Sequence, residues 1–238
     1  MNRLFIRLPT LWIVLLSVGL ATSPAIARAE NVMPGAAIAA KGTPNGVAAC
    51  ASCHGAHGEG NAAASFPRLA GLPAAYLSAQ LNHFADGTRQ NPIMTTMAKQ
   101  LSQGERDAVA VYFASLPAAP GVATDNTDTA KASDVGAWLA TRGRWDQELP
   151  ACVQCHGPGG NGVGNAFPPL AGQSAAYLAT QLHAFKDGSR PGGPMNLMTV
   201  VAKRMSDADI TAVADYFGAA NSVVAASKPE TKKGGEKK

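Results

Sequence analysis

The chain is 238 residues long, with 20 basic and 16 acidic side chains and a formal charge of +4. The excess lies at the two ends: residues 1–29 carry three arginines and no acid, the tail from Asn221 carries five lysines against two glutamates, and the body between them is near −2. A clustered basic face is therefore missing, so no nucleic-acid partner is expected, and a body this close to balance predicts no strong electrostatic steering of any partner.

In chain order, Arg3 and Arg7 precede an apolar run from Leu11 to Leu20, and Ala27-Arg28-Ala29 supplies a small-x-small cleavage signal. This is the layout of a secretory signal peptide. A bilayer-spanning anchor needs about 20 apolar residues, and this run has 10. Export to a bacterial periplasm with cleavage after residue 29 is the expectation, which leaves 209 residues, enough for two domains of about 100.

The four cysteines fall in two pentads, Cys50-Ala51-Ser52-Cys53-His54 and Cys152-Val153-Gln154-Cys155-His156. Two thiols separated by two residues, with a histidine next, suit covalent attachment of a c-type haem whose iron the imidazole ligates. A zinc ribbon would set its two pairs about 15–20 residues apart, whereas Cys53 and Cys152 are 99 positions apart. A thioredoxin-type dithiol needs a βαβ context, and no strand-like alternation surrounds either pentad. Two covalently bound haem c groups are expected, on Cys50 and Cys53 and on Cys152 and Cys155.

The pentads head a duplication. Phe66-Pro67-Arg68-Leu69-Ala70-Gly71 returns as Phe167-Pro168-Pro169-Leu170-Ala171-Gly172, and Ala74-Ala75-Tyr76-Leu77 as Ala175-Ala176-Tyr177-Leu178. Leu77, Leu81 and Phe84, like Leu178, Leu182 and Phe185, follow helical spacing and stop at Gly87 or Gly188, where a helix C-terminus is expected. The last helix of each copy opens on a capping box, Ser102 to Glu105 or Ser206 to Asp209. Both copies read as all-α, with short helices around a haem that forms most of the core. The expected organisation is a signal peptide (1–29), a first domain (30–117), a polar linker (118–132), a second domain (133–220) and a lysine-rich disordered tail (221–238). Solubility is the plain role of that tail; loose association with an anionic membrane surface is the alternative.

The duplication also selects the second iron ligand. Met94 and Met198 each lie eight residues before the capping serine, whereas Met97, Met195 and Met205 have no methionine counterpart and read as gap-fillers. Histidines 57, 83 and 183 are unduplicated as well, which argues against bis-histidine ligation. The metal ligands are thus expected to be His54 with Met94 and His156 with Met198, the thioethers closing the iron to outside ligands and raising its potential. Each histidine needs a carbonyl to fix its ring, and Pro67 and Pro168 are placed to provide one. Tyr76, Tyr177, Arg89 and Arg190 are candidates for the haem propionates, or else ordinary half-buried tyrosines and solvated arginines.

With both pentads, both Phe-Pro-x-Leu-Ala-Gly segments, both Ala-Ala-Tyr-Leu helices and both methionines, the chain resembles dihaem class I cytochromes of the cytochrome c4 type from about Val47 to Phe217. The resemblance implies two cytochrome c folds with haems facing near the domain interface. It also implies a monomeric periplasmic carrier, not an enzyme, passing electrons from a quinol-oxidising cytochrome complex to a terminal haem-copper oxidase. The electron-accepting partner of a periplasmic dehydrogenase is the alternative. A peroxidase would need a distal acid–base residue, and neither methionine has a duplicated one nearby. One departure stands out: the Gly- and Pro-interrupted stretch Gly42 to Gly46 predicts a truncated or irregular first helix, in contrast to the fuller lead-in of the second copy with Trp138 and Trp145.

Overall fold

The computed structural model describes residues 33–121 and 130–219. The expected leader and lysine-rich tail lie outside these residues, as does most of the expected linker. What is described is helical, with isolated bridges and no strand among the described residues. The two halves repeat one five-helix plan. The first runs α1 (Gly35–Lys41), α2 (Ala51–His54), α3 (Ala74–Asp86), α4 (Pro92–Gln100) and α5 (Gln103–Ala114). The second runs α6 (Val135–Thr141), α7 (Cys152–His156), α8 (Ala175–Asp187), α9 (Leu197–Lys203) and α10 (Asp207–Gly218).

Local chemistry sets these boundaries. Ser102 and Ser206 accept from the N3 backbone amides while Glu105 and Asp209 reach back to the cap amides, so both capping boxes form. α3 and α8 end on Gly87 and Gly188 in the left-handed conformation.

In each half the first helix crosses the last at a glycine. A Cβ on Gly35 would lie 2.0 Å from the Ala108 carbonyl oxygen, and one on Gly136 would lie 2.4 Å from that of Ala212. These are backbone atoms, which cannot swing aside. Gly35→Ala and Gly136→Ala are therefore expected to destabilise their halves by about 1–3 kcal/mol or more through overpacking, measured by thermal unfolding of the haem-loaded protein.

The first helix is not truncated: α1 and α6 each have seven residues. The Gly- and Pro-containing stretch lies beyond the helix, with Gly42 as its C-cap at φ 74°, so it terminates α1 rather than interrupting it. The halves differ instead after that cap. The longer second-copy loop folds back through an Arg144–Leu149 bridge.

Buried apolar residues are modest in number. Leu72, Leu77, Val109 and Phe113 anchor the first half; Leu139, Ile210 and Val213, and beside them Leu178 and Phe217, anchor the second. Met205 is buried in this core and Met97 packs against Ile38, Val47 and Leu101, as gap-fillers should. Met195 does not: it is 90% exposed at φ 54°, and fills nothing.

The second half also holds a partly buried ion pair, with the Asp209 end enclosed. Arg144 donates from both terminal nitrogens to Asp209 at 3.0 and 2.8 Å, tying the longer loop to the start of α10. These bonds, reinforced by Ser206, hold the Asp209 carboxyl down at about 2. Because the folded value lies below the unfolded one, the stabilisation is complete above pH ~4 and is lost as pH falls towards 2, amounting to about 2 kcal/mol. Asp209→Asn should flatten that acid limb, as read from unfolding midpoints between pH 5 and 2. In the first half the matching Glu105 bonds its own cap, the Ser102 amide, at 2.8 Å.

Candidate functional site

Each pentad forms a single helical turn. Cys50 caps α2 and Cys53 and His54 end it; Cys152 starts α7 and Cys155 and His156 end it. One turn separates the two thiols of each pair, which puts them on one side with the imidazole next to them. The chain then doubles back: Gly60 N–H donates to the His54 carbonyl at 2.7 Å, and Gly162 N–H to that of His156 at 2.6 Å. Further along, Leu69 and Ala70 both donate to the Gly58 carbonyl, as Leu170 and Ala171 do to that of Gly160. Gly58 and Gly160 have positive φ and sit against the Phe113 and Phe217 rings, leaving no room for a Cβ.

This doubling back brings a carbonyl to each histidine. His54 Nδ1–H donates to Pro67 O at 2.9 Å and His156 Nδ1–H to Pro168 O at 2.8 Å. Both rings are buried, beside Phe66 and Phe167 respectively. Burial pushes both imidazoles below their ordinary pKa, against the smaller opposing effect of the carbonyl bond. The result is a neutral ring whose tautomer is set, with the Nε2 lone pair available to a metal.

The first thiol of each pair lacks the activation that redox exchange needs. Burial raises the Cys50 thiol and pushes that of Cys152 up to about 11, whereas a reactive dithiol needs a lowered value. Among the described residues no three His, Cys, Asp or Glu side chains converge as a metal cluster, so a zinc ribbon has no donor set.

Met94 and Met198 are helical rather than loop residues. Met94 lies in the first turn of α4, where Asn91 Oδ1 accepts from the Ile93 and Met94 amides at 3.0 Å each and Pro92 occupies the first position. Met198 is the second residue of α9 and its amide donates to Gly192 O at 2.9 Å. Both side chains are half-buried. Of the other histidines, His57 and His183 are exposed and His83 half-buried.

Arg89 and Arg190 are not solvated loop charges; each is 7% exposed. Arg89 donates to Gln80 in its own half at 2.7 Å, and to Tyr177 OH and Gln181 in the other half at 3.2 and 2.6 Å. Arg190 mirrors it, donating to Gln181 at 3.0 Å and across to Tyr76 OH and Gln80 at 2.9 and 3.1 Å. Each guanidinium also stacks 4.4 Å over the phenylalanine of its own half, Phe84 or Phe185. Burial raises the Tyr177 phenol, but the Arg89 and Arg190 charges outweigh it and the net direction is downward. The cluster thus buries two positive charges whose hydrogen-bond partners among the described residues are amides and phenols rather than carboxylates. Such a pair calls for anions, and two carboxylates, such as haem propionates, fit that demand.

Two functional features escape a reading of the sequence. Gln80 and Gln181 stand in the duplicated Gln-Leu pairs, so their repetition was the available signal. Gln173 gives no such signal, because its counterpart in the first half is Leu72. Yet its amide accepts from Arg68 N–H at 3.0 Å and donates to Arg68 O at 2.7 Å, joining the halves.

The cytochrome c family profile matches residues 32–117 and 147–219. The thiosulfate dehydrogenase electron acceptor of Thiomonas intermedia is 51% identical over 176 residues, covering 74% of this chain and 80% of the relative. Cytochrome c4 from Pseudomonas stutzeri superposes with a TM-score of 0.63 at 37% identity, over 72% of this chain and 93% of that one. Thiosulfate dehydrogenase from Marichromatium purpuratum gives 0.69 at 42% identity, over 77% of this chain but 39% of that longer one.

Proposed function

Because the chain belongs to the cytochrome c family, as a dihaem electron-transfer cytochrome related to cytochrome c4, we propose that it is the electron acceptor of a periplasmic thiosulfate-oxidising dehydrogenase. The observation that carries the choice of donor is the 51% identity to a thiosulfate dehydrogenase electron acceptor over 80% of that protein. It favours the dehydrogenase over the quinol-oxidising complex that the sequence put first. The terminal oxidase remains a suitable destination for the electrons. The site of action is the periplasm, reached through cleavage of the 1–29 leader.

The haem iron supplies one-electron exchange between its ferrous and ferric states. The chain's own residues hold it in place. Cys50 and Cys53 would tether the first group and Cys152 and Cys155 the second. His54 and Met94 would ligate the first iron, His156 and Met198 the second. The Pro67 and Pro168 carbonyls hold the two imidazoles in one orientation. Arg89, Arg190, Tyr76 and Tyr177, which meet between the halves, would take propionates and so neutralise the buried guanidinium groups. The chain thereby stores two electrons per dehydrogenase encounter and performs no bond chemistry.

The experiment mixes oxidised, haem-loaded cytochrome with a thiosulfate dehydrogenase and follows reduction optically. Both haems should be reduced only when enzyme and thiosulfate are present together. Failure there, with fast reduction by a quinol-oxidising complex, would return the function to the respiratory-carrier reading.

A further inference from the structure

The peptide group that orients His54 is itself held from the other half of the molecule. Its carbonyl is Pro67 O, which accepts from His54 Nδ1 at 2.9 Å. Its N–H belongs to Arg68 and donates to Gln173 Oε1 at 3.0 Å, and Gln173 Nε2 donates to the next carbonyl, Arg68 O, at 2.7 Å. Gln173 is 4% exposed, so water does not compete for these bonds. The second half has no equivalent. The carbonyl that accepts from His156 belongs to the Pro168–Pro169 peptide, which has no N–H, and the position matching Gln173 is the buried Leu72.

We propose that Gln173 is a positioning residue for the first haem site only. By accepting from Arg68 N–H it polarises the Pro67 carbonyl, which then holds the His54 Nδ1–H more strongly. A more strongly held N–H makes the imidazole a better electron donor to its metal, and hydrogen bonding beyond the ligands is a recognised lever on haem potential. A more basic ligand favours ferric iron, so Gln173 lowers the potential of the first site against the second. Two sites built from one duplicated sequence are thereby made unequal, in the sense that sends electrons from the first half to the second. The inference rests on the reading of His54 as an iron ligand.

The test is a redox titration of the haem-loaded protein by NMR, following the hyperfine-shifted methyl resonances of each haem, in Gln173→Leu and in Arg68→Pro. The first change installs the residue of the matching first-half position, and the second copies Pro169. In Gln173→Leu the first site's potential should rise while the second's stays put, shifting the partition of a single electron roughly threefold towards the first site. The His54 ring N–H resonance should move with it and that of His156 should not. Arg68→Pro also removes the guanidinium and its bonds to the Ala70 and Pro117 carbonyls, so it is read against Arg68→Ala, which removes the same side chain but keeps the N–H; relative to that variant the first site's potential should rise, and adding Gln173→Leu to Arg68→Pro should raise it no further. Equal movement of both potentials would show mere loosening of the contact between the halves, and no movement of either would remove the role; each result overturns the proposal. An unchanged Fe–S(Met) charge-transfer band in Gln173→Leu keeps the ligand reading intact whatever the potentials do, whereas two haems lacking histidine ligation in the unsubstituted protein would defeat that reading itself.

Discussion

Replacing Met198 with alanine opens the second site to carbon monoxide and leaves the first closed. A thioether ligand is what would separate a carrier from a gas-binding haem, because it would close the iron to outside ligands and favour the ferrous state. The prediction is specific to Met198 rather than its neighbour. Met195 lies three residues earlier, but it is 90% exposed on a left-handed backbone, whereas Met198 is half-buried in the first turn of α9. Met195→Ala should therefore leave the spectrum unchanged. Met94→Ala should open the first site in the same way, and the double variant both. The change is from no binding to one gas molecule per opened site, with a fall in potential inside the roughly 0.8 V range that axial ligation commands. Unaltered ligation in both single variants would sink the assignment of the methionines.

Removing the attachments has a comparably large effect on folding. Each half is fewer than 100 residues long, and its buried apolar side chains are few. A domain of that size buries only a modest share of its unfolded surface, against about 1–2 kcal/mol of backbone entropy per residue ordered. α2 and α7 are single turns that could not persist alone. With Cys152 and Cys155 both changed to serine, the second half should lose its cooperative thermal transition and much of its helical circular dichroism, while the haem-loaded first half keeps its own. A second half that still unfolded cooperatively near the native midpoint would contradict the view that haem forms most of its core.

Much of this was legible because the chain says nearly everything twice. Duplication singled out Pro67 and Pro168, whose carbonyls the two histidines do find, and it is the ground on which Met94 and Met198 are proposed among seven methionines. Gly87, Gly188 and the two capping serines are local signals, and each ends or starts a helix where its chemistry requires. What was not legible depends on long-range packing. Nothing in periodicity distinguishes a solvated arginine from Arg89, whose partners Tyr177 and Gln181 lie about ninety residues away in the other half. The glycines of Gly42 to Gly46 weaken a helix only if they fall inside it, and the close approach of Gly35 to Ala108 fixes α1 before they begin. Gln173 is the sharpest case. A search for repeated residues passes over a contact that exists because the two copies differ.

One spectrum tests most directly whether the chain holds two closed His/Met haems and carries electrons without acting on its partners' substrates. Protein purified with its haems is recorded in the visible and near infrared, oxidised and reduced, before and after carbon monoxide. Two haems per chain, an Fe–S(Met) charge-transfer band in the oxidised form and no response to the gas are the predicted result. Binding of carbon monoxide at either site of the unsubstituted protein would mean an open iron, and would contradict the account.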